Sequence, residues 1–510
     1  MKQVNGLYQF ILQNNNHEQI LNFKNGDILS HTLHTNNIAI HTPCSGLTDC
    51  GRCVVHTSMG NLYACKTVLS KEHHHMMVFL DSLKPQTMSA LQWYQCPNKL
   101  MPRESIQSDA YAVAIDIGTT TIVFEAIDLS SGIAMKSLSM VNRGRLYGHD
   151  VMTRITHSVQ GARDAIHQIM HDDLIMGIAE LIHQCKFSSA QLKKIVVAGN
   201  TTMMHILQNF ALDSLGVAPF QPISTDIKHW DAQRLFKTLN VTCDVILLPC
   251  ISAFVGADTV SGLLFCGWQQ DTAPHLFIDI GTNGEIALFH DHKITCTSSA
   301  AGPALEGGNI SCGIASIPGA IYNIRYSEEK NVFNIRTIND VSPAGLCGTA
   351  IIDLMSELLT HDLMDPSGVL NKNAPCILDK NVMIVSGADP ILFSQNDVRA
   401  VQLAKASLRA GIEILLEDAN LSHEDIKTVY LAGGFGYNIN VTNACRIGLL
   451  PMAFQNKTIA VGNASLGGCA LLATHPTLTP KLNEIKHHAR DIGLMDHPSF
   501  HDLFIEYMTF

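Results

Sequence analysis

The sequence has few of the features that mark membrane, secreted or nucleic-acid-binding proteins. No apolar run is long enough to cross a bilayer, and residues 1–6 contain no apolar core of the signal-peptide type. The 45 Asp and Glu residues outnumber the 34 Lys and Arg residues, which gives a net charge of −11 and a pI of about 6.1. This balance disfavours a general role on nucleic acid or on an anionic membrane surface. We therefore expect a soluble, cytoplasmic protein with no nucleic-acid and no membrane partner.

Charged and aromatic residues are also scarce, at 15% and 6%, whereas 46% of the 510 residues are hydrophobic. A chain of this length and composition can bury several large cores, so three or four domains are expected. Between residues 81 and 109 the periodicity is lost and prolines recur, which is typical of a linker. The predicted domains are an N-terminal domain at 1–84, a linker at 85–109, a first lobe at 110–270, and a second lobe with the C-terminal segment at 271–510.

Cysteine, in contrast, is abundant, with 15 copies. Disulfides are rare in reducing compartments, so these residues are expected to be thiols or metal ligands. Cys44, Cys50, Cys53 and Cys65 have the spacing C-x5-C-x2-C-x11-C, close to the plant-type [2Fe–2S] pattern C-x4-C-x2-C followed by a distant cysteine. A hairpin turning at residues 59–61 would return the fourth thiolate. A [2Fe–2S] cluster is the favoured interpretation, and a structural zinc site or four unligated thiols are the alternatives.

The flanking segments predict a small β-rich N-terminal unit. Alternation over residues 8–12 and the stretch 28–33 both suggest short strands. Later in the chain, the periodicity predicts helices near 162–185 and 397–409.

Two stretches, 113–124 and 277–288, repeat one pattern of apolar strand, tight glycine turn and second apolar strand. A hairpin tip of this kind presents backbone N–H groups to phosphate oxygens, and an Asp at the end of its first strand can hold Mg²⁺ through water. Asp116 and Asp279 are the candidate Mg²⁺ residues. The candidate phosphate-binding residues are Gly118, Thr119, Thr120, Thr121, Gly281, Thr282, Asn283 and Gly284. The repeat predicts two related half-domains that face each other across a nucleotide.

Together with 195–202, 429–436 and 461–470, these hairpins resemble, in order, the five motifs of the actin, Hsp70 and sugar-kinase (ASKHA) ATPase superfamily. The resemblance implies an α/β fold with two RNase H-like lobes. The N-terminal cysteine pattern adds an α+β ferredoxin-like domain of the β-grasp type before them. In such a fold, Gly433, Gly434 and Phe435 would border the adenosine. Asp258 and Glu285 are candidates for ordering the attacking water.

Gln402 and Lys405 lie one turn apart on the predicted helix 397–409. They are candidate contacts for ribose or adenine, and a solvated helix face is the alternative.

With the N-terminal cysteines included, the whole chain is similar to the reductive activators of corrinoid-dependent methyltransferase systems. The stretches that carry this resemblance are AGNTTMMH, FVGADT, DIGTNGEI, AAGPALEGGNISCGI, LAGGFG and RIGLLP. It implies ATP-dependent reduction of an inactive Co(II) corrinoid to Co(I) on a partner protein. It also implies a [2Fe–2S] cluster, ATP and Mg²⁺ as cofactors and an upstream low-potential electron donor. The oligomeric state is left open, with a homodimer as one option.

Three other functions are compatible with the same residues. The chain could be an ATP-driven electron donor to a non-corrinoid enzyme, which the motifs do not distinguish from the first interpretation. A small-molecule kinase would use both hairpins but would leave the four cysteines unexplained. An ATP-regulated sensor or scaffold would use the cluster only as a structural element.

Overall fold

The computed structural model describes residues 7–14, 17–36, 38, 54–79, 86–88, 109–267, 272–387, 389–433 and 439–510. Within these ranges no helix is both long enough and apolar enough to span a membrane. The described strands form five sheets: one in the N-terminal domain, one in the first lobe and three in the second lobe.

The N-terminal domain is a five-stranded sheet in the order β2-β1-β5-β3-β4, with β1 parallel to β5. Leu29 and Leu33 of its helix are fully buried against Phe10 and Phe23 of the sheet. The strand predicted over 28–33 is therefore wrong, because leucines four residues apart share one face of a helix. The elements are β1 Leu7–Asn14, β2 His17–Lys24, α1 Leu29–Thr35, β3 Val54–Thr57, β4 Gly60–Tyr63 and β5 Met77–Phe79.

The first lobe is a seven-stranded sheet in the order β11-β12-β10-β7-β8-β9-β6. β7, β8 and β9 form an antiparallel meander. β10 pairs in parallel with β7, and β12 pairs in parallel with β10. The elements are β6 Gln86–Met88, β7 Tyr111–Ile117, β8 Thr121–Asp128, β9 Ile133–Val141, α2 Val151–His157, α3 Arg163–Cys185, β10 Leu192–Gly199, α4 Thr201–Leu207, α5 Asp213–Gly216, β11 Lys228–Asp231, α6 Ala232–Leu235, β12 Asp244–Leu247 and α7 Ala257–Cys266.

The crossover helix α3 packs closely on this sheet. A Cβ atom at Gly177 would lie 2.4 Å from the ring of Phe124, so only glycine lets the helix approach β8. The linker prediction needs one correction, because residues 86–88 pair with β9 as an edge strand. Residues 89–108 lie outside the described residues.

The second lobe repeats this topology. Its main sheet has the order β23-β22-β13-β14-β15-β24, in which β15-β14-β13-β22-β23 corresponds to β9-β8-β7-β10-β12. The predicted pair of RNase H-like lobes is confirmed. The elements are β13 His275–Ile280, β14 Gly284–His290, β15 Lys293–Ser299, β16 Ala320–Ser327, β17 Val332–Thr337, β18 Gly345–Leu346, α8 Gly348–Thr360, β19 Ile377–Leu378, β20 Asn381–Val385, β21 Ile391–Ser394, α9 Gln395–Ala419, β22 Thr428–Ala432, α10 Val441–Arg446, β23 Thr458–Gly462, α11 Ala464–Thr474, α12 Thr479–His488, β24 Ala489–Asp491 and α13 Phe500–Glu506.

Helix α9 extends beyond the predicted helix 397–409 at both ends, and a capping interaction marks each end. The Ser394 and Asp397 side chains form a capping box at its start, and Asn420 ends it in the left-handed conformation. Two small three-stranded sheets and α8 are inserted between β15 and α9.

The helices that follow the last parallel strand of each lobe, α7 and α11, cross at close range. A Cβ atom at Gly468 would lie 2.1 Å from the carbonyl oxygen of Ser261. The Ser261 hydroxyl donates a hydrogen bond of 2.7 Å to the carbonyl of Ser465. This crossing joins the two lobes.

Candidate functional site

The tip of the first hairpin, between β7 and β8, is a tight turn. The Gly118 N–H donates to the carbonyl of Thr121 at 3.0 Å. A Cβ atom at Gly118 would lie 2.6 Å from that same oxygen, so the turn requires glycine. Asn200, the N-cap of α4, donates to the Thr119 hydroxyl at 3.0 Å. The first connecting segment thus lies directly against the first phosphate loop.

The second hairpin, between β13 and β14, is built differently. A Cβ atom at Gly281 would meet no atom closer than 3.6 Å, so the protein itself does not demand glycine there. Gly284 is the constrained position, because a Cβ atom would lie 2.0 Å from the Leu408 side chain on α9. Thr282 donates its hydroxyl to Glu306 at 2.8 Å. Glu306 was not predicted as a site residue, although it lies in the glycine-rich stretch 300–309.

The strand register brings two of the predicted acids together. Asp279 lies directly opposite Glu285 in the antiparallel pair β13–β14. Opposite residues in such a pair project from the same face of the sheet, with Cβ atoms about 5 Å apart. Ser298 donates to Glu285 at 3.4 Å from the neighbouring strand β15.

Five carboxyl groups at and near the two hairpins affect one another electrostatically. Burial raises the pKa of Asp116 and of Glu306, and it raises the pKa of Asp279 and of Glu285 well above the usual range. For Asp258, burial and then the charge of Asp116 raise the pKa to about 7. Asp279 also feels the charges of Asp258, Asp116 and Glu306. The structure therefore brings the four predicted catalytic acids into one electrostatic cluster, with Glu306 as a fifth member.

The negative charge of this cluster favours a divalent cation held through water. No three Asp, Glu, His or Cys side chains of the described residues are arranged to hold a metal ion directly. Among the described residues, no ion pair joins a Lys, Arg or His side chain to any of the five carboxylates. Buried carboxylates without a cation must either hold protons or bind a metal ion. Carboxylate oxygen is the ligand that Mg²⁺ prefers.

The two lobes meet at Asp116. Asn463 donates to one of its carboxylate oxygens at 2.8 Å and Ser465 to the other at 2.7 Å. Both donors belong to the second connecting segment, at the start of α11. The sequence offered the segment 461–470 as a motif but no signal that these two side chains bind an aspartate about 350 residues away.

Gln402 and Lys405 do not lie on a solvated helix face, which was the alternative to a contact with ribose or adenine. Both side chains are buried, with 1% and 0% exposure. Lys405 donates to the carbonyls of Tyr507 and Thr509 at 2.6 and 2.7 Å, and Gln402 donates to that of Met508 at 2.7 Å. The solvated-face alternative is wrong because the C-terminal segment folds back over α9. A role at ribose or adenine stays a prediction.

Several predicted residues lie outside the described residues. On the adenosine side these are Gly434 and Phe435, whereas Gly433 is described. Gly433 has a φ of 113°, and a Cβ atom there would lie 2.3 Å from the carbonyl of Ile280, so the loop leaves β22 through an obligatory glycine.

Of the four cysteines predicted to hold a cluster, only Cys65 lies within the described residues. Cys65 is buried just after β4. Cys44, Cys50 and Cys53 lie outside the described residues. Within the described part of the chain, no three or more His, Cys, Asp or Glu side chains are arranged so that they could hold a metal ion directly.

Comparison with known proteins identifies the family. The model of the C-terminal, ASKHA domain of RACo matches residues 273–510, and the model of the RACo middle region matches residues 111–271. The corrinoid activation enzyme RamQ of Eubacterium limosum is 32% identical over 424 residues, which cover 78% of this chain and 70% of the relative. A [Co(II) methylated amine-specific corrinoid protein] reductase of Methanosarcina barkeri is 25% identical over 385 residues, which cover 70% and 68%.

The solved structure of a reductive activator for a corrinoid, iron-sulfur protein superposes with a TM-score of 0.73 over 98% of both chains. At 23% identity this match shows the shared fold. The sequence matches go further: the chain belongs to the RACo family of corrinoid-activating proteins.

Proposed function

We propose that this protein restores an inactive corrinoid on a methyltransferase-system partner by ATP-dependent reduction of Co(II) to Co(I). The observation that carries the ATP part is the group of five half-buried carboxyl groups beside the phosphate hairpins of two equivalent lobes; among the described residues, none of them pairs with a Lys, Arg or His side chain. The names of the relatives, a corrinoid activation enzyme and a corrinoid protein reductase, support a corrinoid protein as the partner.

In this proposal each acid has a distinct task. Asp116 and Asp279 would hold Mg²⁺ and its waters, because each ends the first strand of a phosphate hairpin. Asp258, with a pKa of about 7, would accept a proton from the attacking water near neutral pH, where a general base is most effective. Glu285 would orient that water from the opposite lobe.

Cys44, Cys50, Cys53 and Cys65 would hold a [2Fe–2S] cluster, which supplies one electron at about −400 mV if it behaves like plant-type clusters. An upstream low-potential donor would reload it. In this proposal the Co(II)/Co(I) couple of the partner would lie lower still, so the transfer would need an energy source.

Nucleotide binding can couple to this transfer through the lobe junction. Asn463 and Ser465 from one lobe hold Asp116 of the other. Mg²⁺ entering with the nucleotide between the hairpins would compete with these donors for the Asp116 carboxylate, and a change in these contacts would shift the lobes relative to each other. That movement would change how the partner holds cobalt.

The replacement Asp279→Asn tests the ATP part. It removes a full negative charge at the proposed Mg²⁺ position and keeps the side-chain shape. We expect ATP hydrolysis to fall by about 10–100-fold, the usual cost of disturbing a metal site. Asp244→Asn, at a surface carboxylate that is 44% exposed on β12, is the matched control and should hydrolyse ATP normally.

The visible spectrum of the cluster and its reduction by dithionite should be the same in both variants and in the wild type, because the cysteines belong to another domain. Hydrolysis at the wild-type rate in Asp279→Asn would contradict the assignment of the metal site.

A further inference from the structure

The first phosphate hairpin has a buried cation behind it. Arg154, on α2, is fully buried with 0% exposure. Its Nε donates to the carbonyl of Gly148 at 2.8 Å, and its Nη2 donates to the carbonyl of Thr119 at the hairpin tip. Its Nη1 contacts the Met203 sulfur at 3.3 Å.

This guanidinium has no direct counter-ion among the described residues. Asp173 affects Arg154 only through its charge, and its carboxylate is bound by Arg143 through both the side chain and the backbone N–H. Asp150 caps α2 and affects Arg154 only at a distance. Burial, and then the charge of Arg145, lower the pKa of Arg154 to about 9, so it is still protonated at neutral pH.

A second arginine adds to the positive charge. Arg145 lies close enough to Arg154 to repel it, and burial lowers the pKa of Arg145 too. The Nε of Arg145 is buried and has no hydrogen-bond partner among the described residues. Two neighbouring cations, one buried and one half-buried, are costly unless an anion lies near them.

The hairpin backbone shows where that anion would lie. Asn142, also fully buried, donates to the carbonyl of Gly118 at 2.8 Å, just as Arg154 donates to that of Thr119. In a trans peptide, the N–H of the next residue points away from the carbonyl. Because Asn142 and Arg154 bind the carbonyls of Gly118 and Thr119, the N–H groups of Thr119 and Thr120 point to the opposite side of the hairpin, away from Arg154. Successive N–H groups of this kind form an anion-binding nest.

We propose that Arg154 and Asn142 are positioning residues that shape the first hairpin into a phosphate-binding nest, with Arg154 supplying the charge behind it. The proposal rests on the proposed function, in that the phosphates are those of the nucleotide proposed to bind at the two hairpins. It assigns Arg154 a role in binding phosphate and none in binding adenosine.

The experiment measures equilibrium binding of ATP and of adenosine, each with Mg²⁺, by titration calorimetry. Arg154→Met keeps the length of the side chain and removes the guanidinium, and Asn142→Asp keeps the shape and removes the donor. We expect each to weaken ATP binding by about 10–100-fold, the usual effect of losing hydrogen bonds to a charged ligand site. Adenosine binding should be unchanged. Arg154→Lys keeps the cation, so its ATP affinity should lie between those of the wild type and Arg154→Met.

Arg490→Met is the control, since that arginine is 60% exposed and pairs with Asp418 at the surface. Equal loss of ATP and adenosine affinity in Arg154→Met and Asn142→Asp would show a merely structural role and overturn the proposal, as would wild-type ATP affinity in both. If Arg154→Met does not fold, Asn142→Asp and Arg154→Lys carry the same comparison. A wild-type protein that binds adenosine but gains nothing from the phosphates would overturn the proposed function as well.

Discussion

Replacing Asp258 by Asn should stabilise the protein in the absence of metal and nucleotide. Asp258 lies in the first turn of α7, and its Oδ1 accepts the N–H of Thr259 at 2.8 Å. An Asn side chain keeps an oxygen for that bond and removes the charge. Burial and the charge of Asp116 raise the Asp258 pKa from 3.8 to about 7, so the ionised side chain is unfavourable in the folded state.

The sign and size follow from proton linkage. The unfolded carboxyl loses its proton above about pH 4 and the folded one only near pH 7, so the folded state binds more protons between these values. Stability therefore falls as pH rises through this window. A shift of about three units corresponds to about 4 kcal/mol, and partial solvent access reduces the expected effect to about 2–4 kcal/mol. Asp258→Asn removes this penalty, which is full above pH 7 and absent near pH 4.

Thermal melting in EDTA, without nucleotide, at several pH values from about 4 to 8 checks this expectation. For a lobe of this size, 1 kcal/mol moves Tm by about 2–4 °C, so Asp258→Asn should melt several degrees higher at pH 8 and equally at pH 4. Asp425→Asn is a control for which the expected change in stability has the opposite sign. Hydrogen bonds from Ser422 lower the pKa of Asp425, so the ionised carboxylate is favoured in the folded state and its loss should not raise Tm at pH 8. A gain that does not depend on pH, or a less stable Asp258→Asn protein at pH 8, would refute the reasoning.

Two further variants test other parts of the account. Cys50→Ala should lose the cluster, seen as lost iron and sulfide after anaerobic purification, whereas Cys185→Ala should keep it; one zinc and no iron in the wild type would contradict the cluster. Gly468→Ala should destabilise the lobes by about 1–3 kcal/mol or more in denaturant unfolding, because the new Cβ would overlap the Ser261 carbonyl oxygen in the α7–α11 crossing; wild-type stability would show that the crossing is loose.

The parts of the fold that depend on local sequence could be predicted. Each phosphate hairpin is a continuous stretch whose strands, glycine turn and terminal Asp are adjacent in the chain, so its pattern is complete in the sequence. Because the pattern occurs twice, the two-lobed architecture could also be predicted from the sequence. The stretch 28–33 was predicted wrongly because its short apolar run fits a strand as well as a helix.

The parts of the site that depend on distant contacts could not be predicted. Asn463 and Ser465 reach Asp116 only because α7 and α11 cross, and that crossing is a property of packing. Lys405 on α9 is covered by residues near the C-terminus, which no periodicity indicates. Arg154 has an ordinary position in its helix, and its function is suggested only by its burial behind Thr119.

The central claim is that ATP drives electron transfer from this protein to a corrinoid partner. The most direct measurement is the Co(I) absorption of a Co(II) corrinoid protein mixed anaerobically with this protein and a low-potential reductant, with and without MgATP. The account predicts that Co(I) accumulates only when MgATP is present and that Asp279→Asn does not support it. Equal accumulation of Co(I) without ATP, or full-rate reduction by a variant that cannot hydrolyse ATP, would contradict the account and leave the nucleotide site a regulatory one.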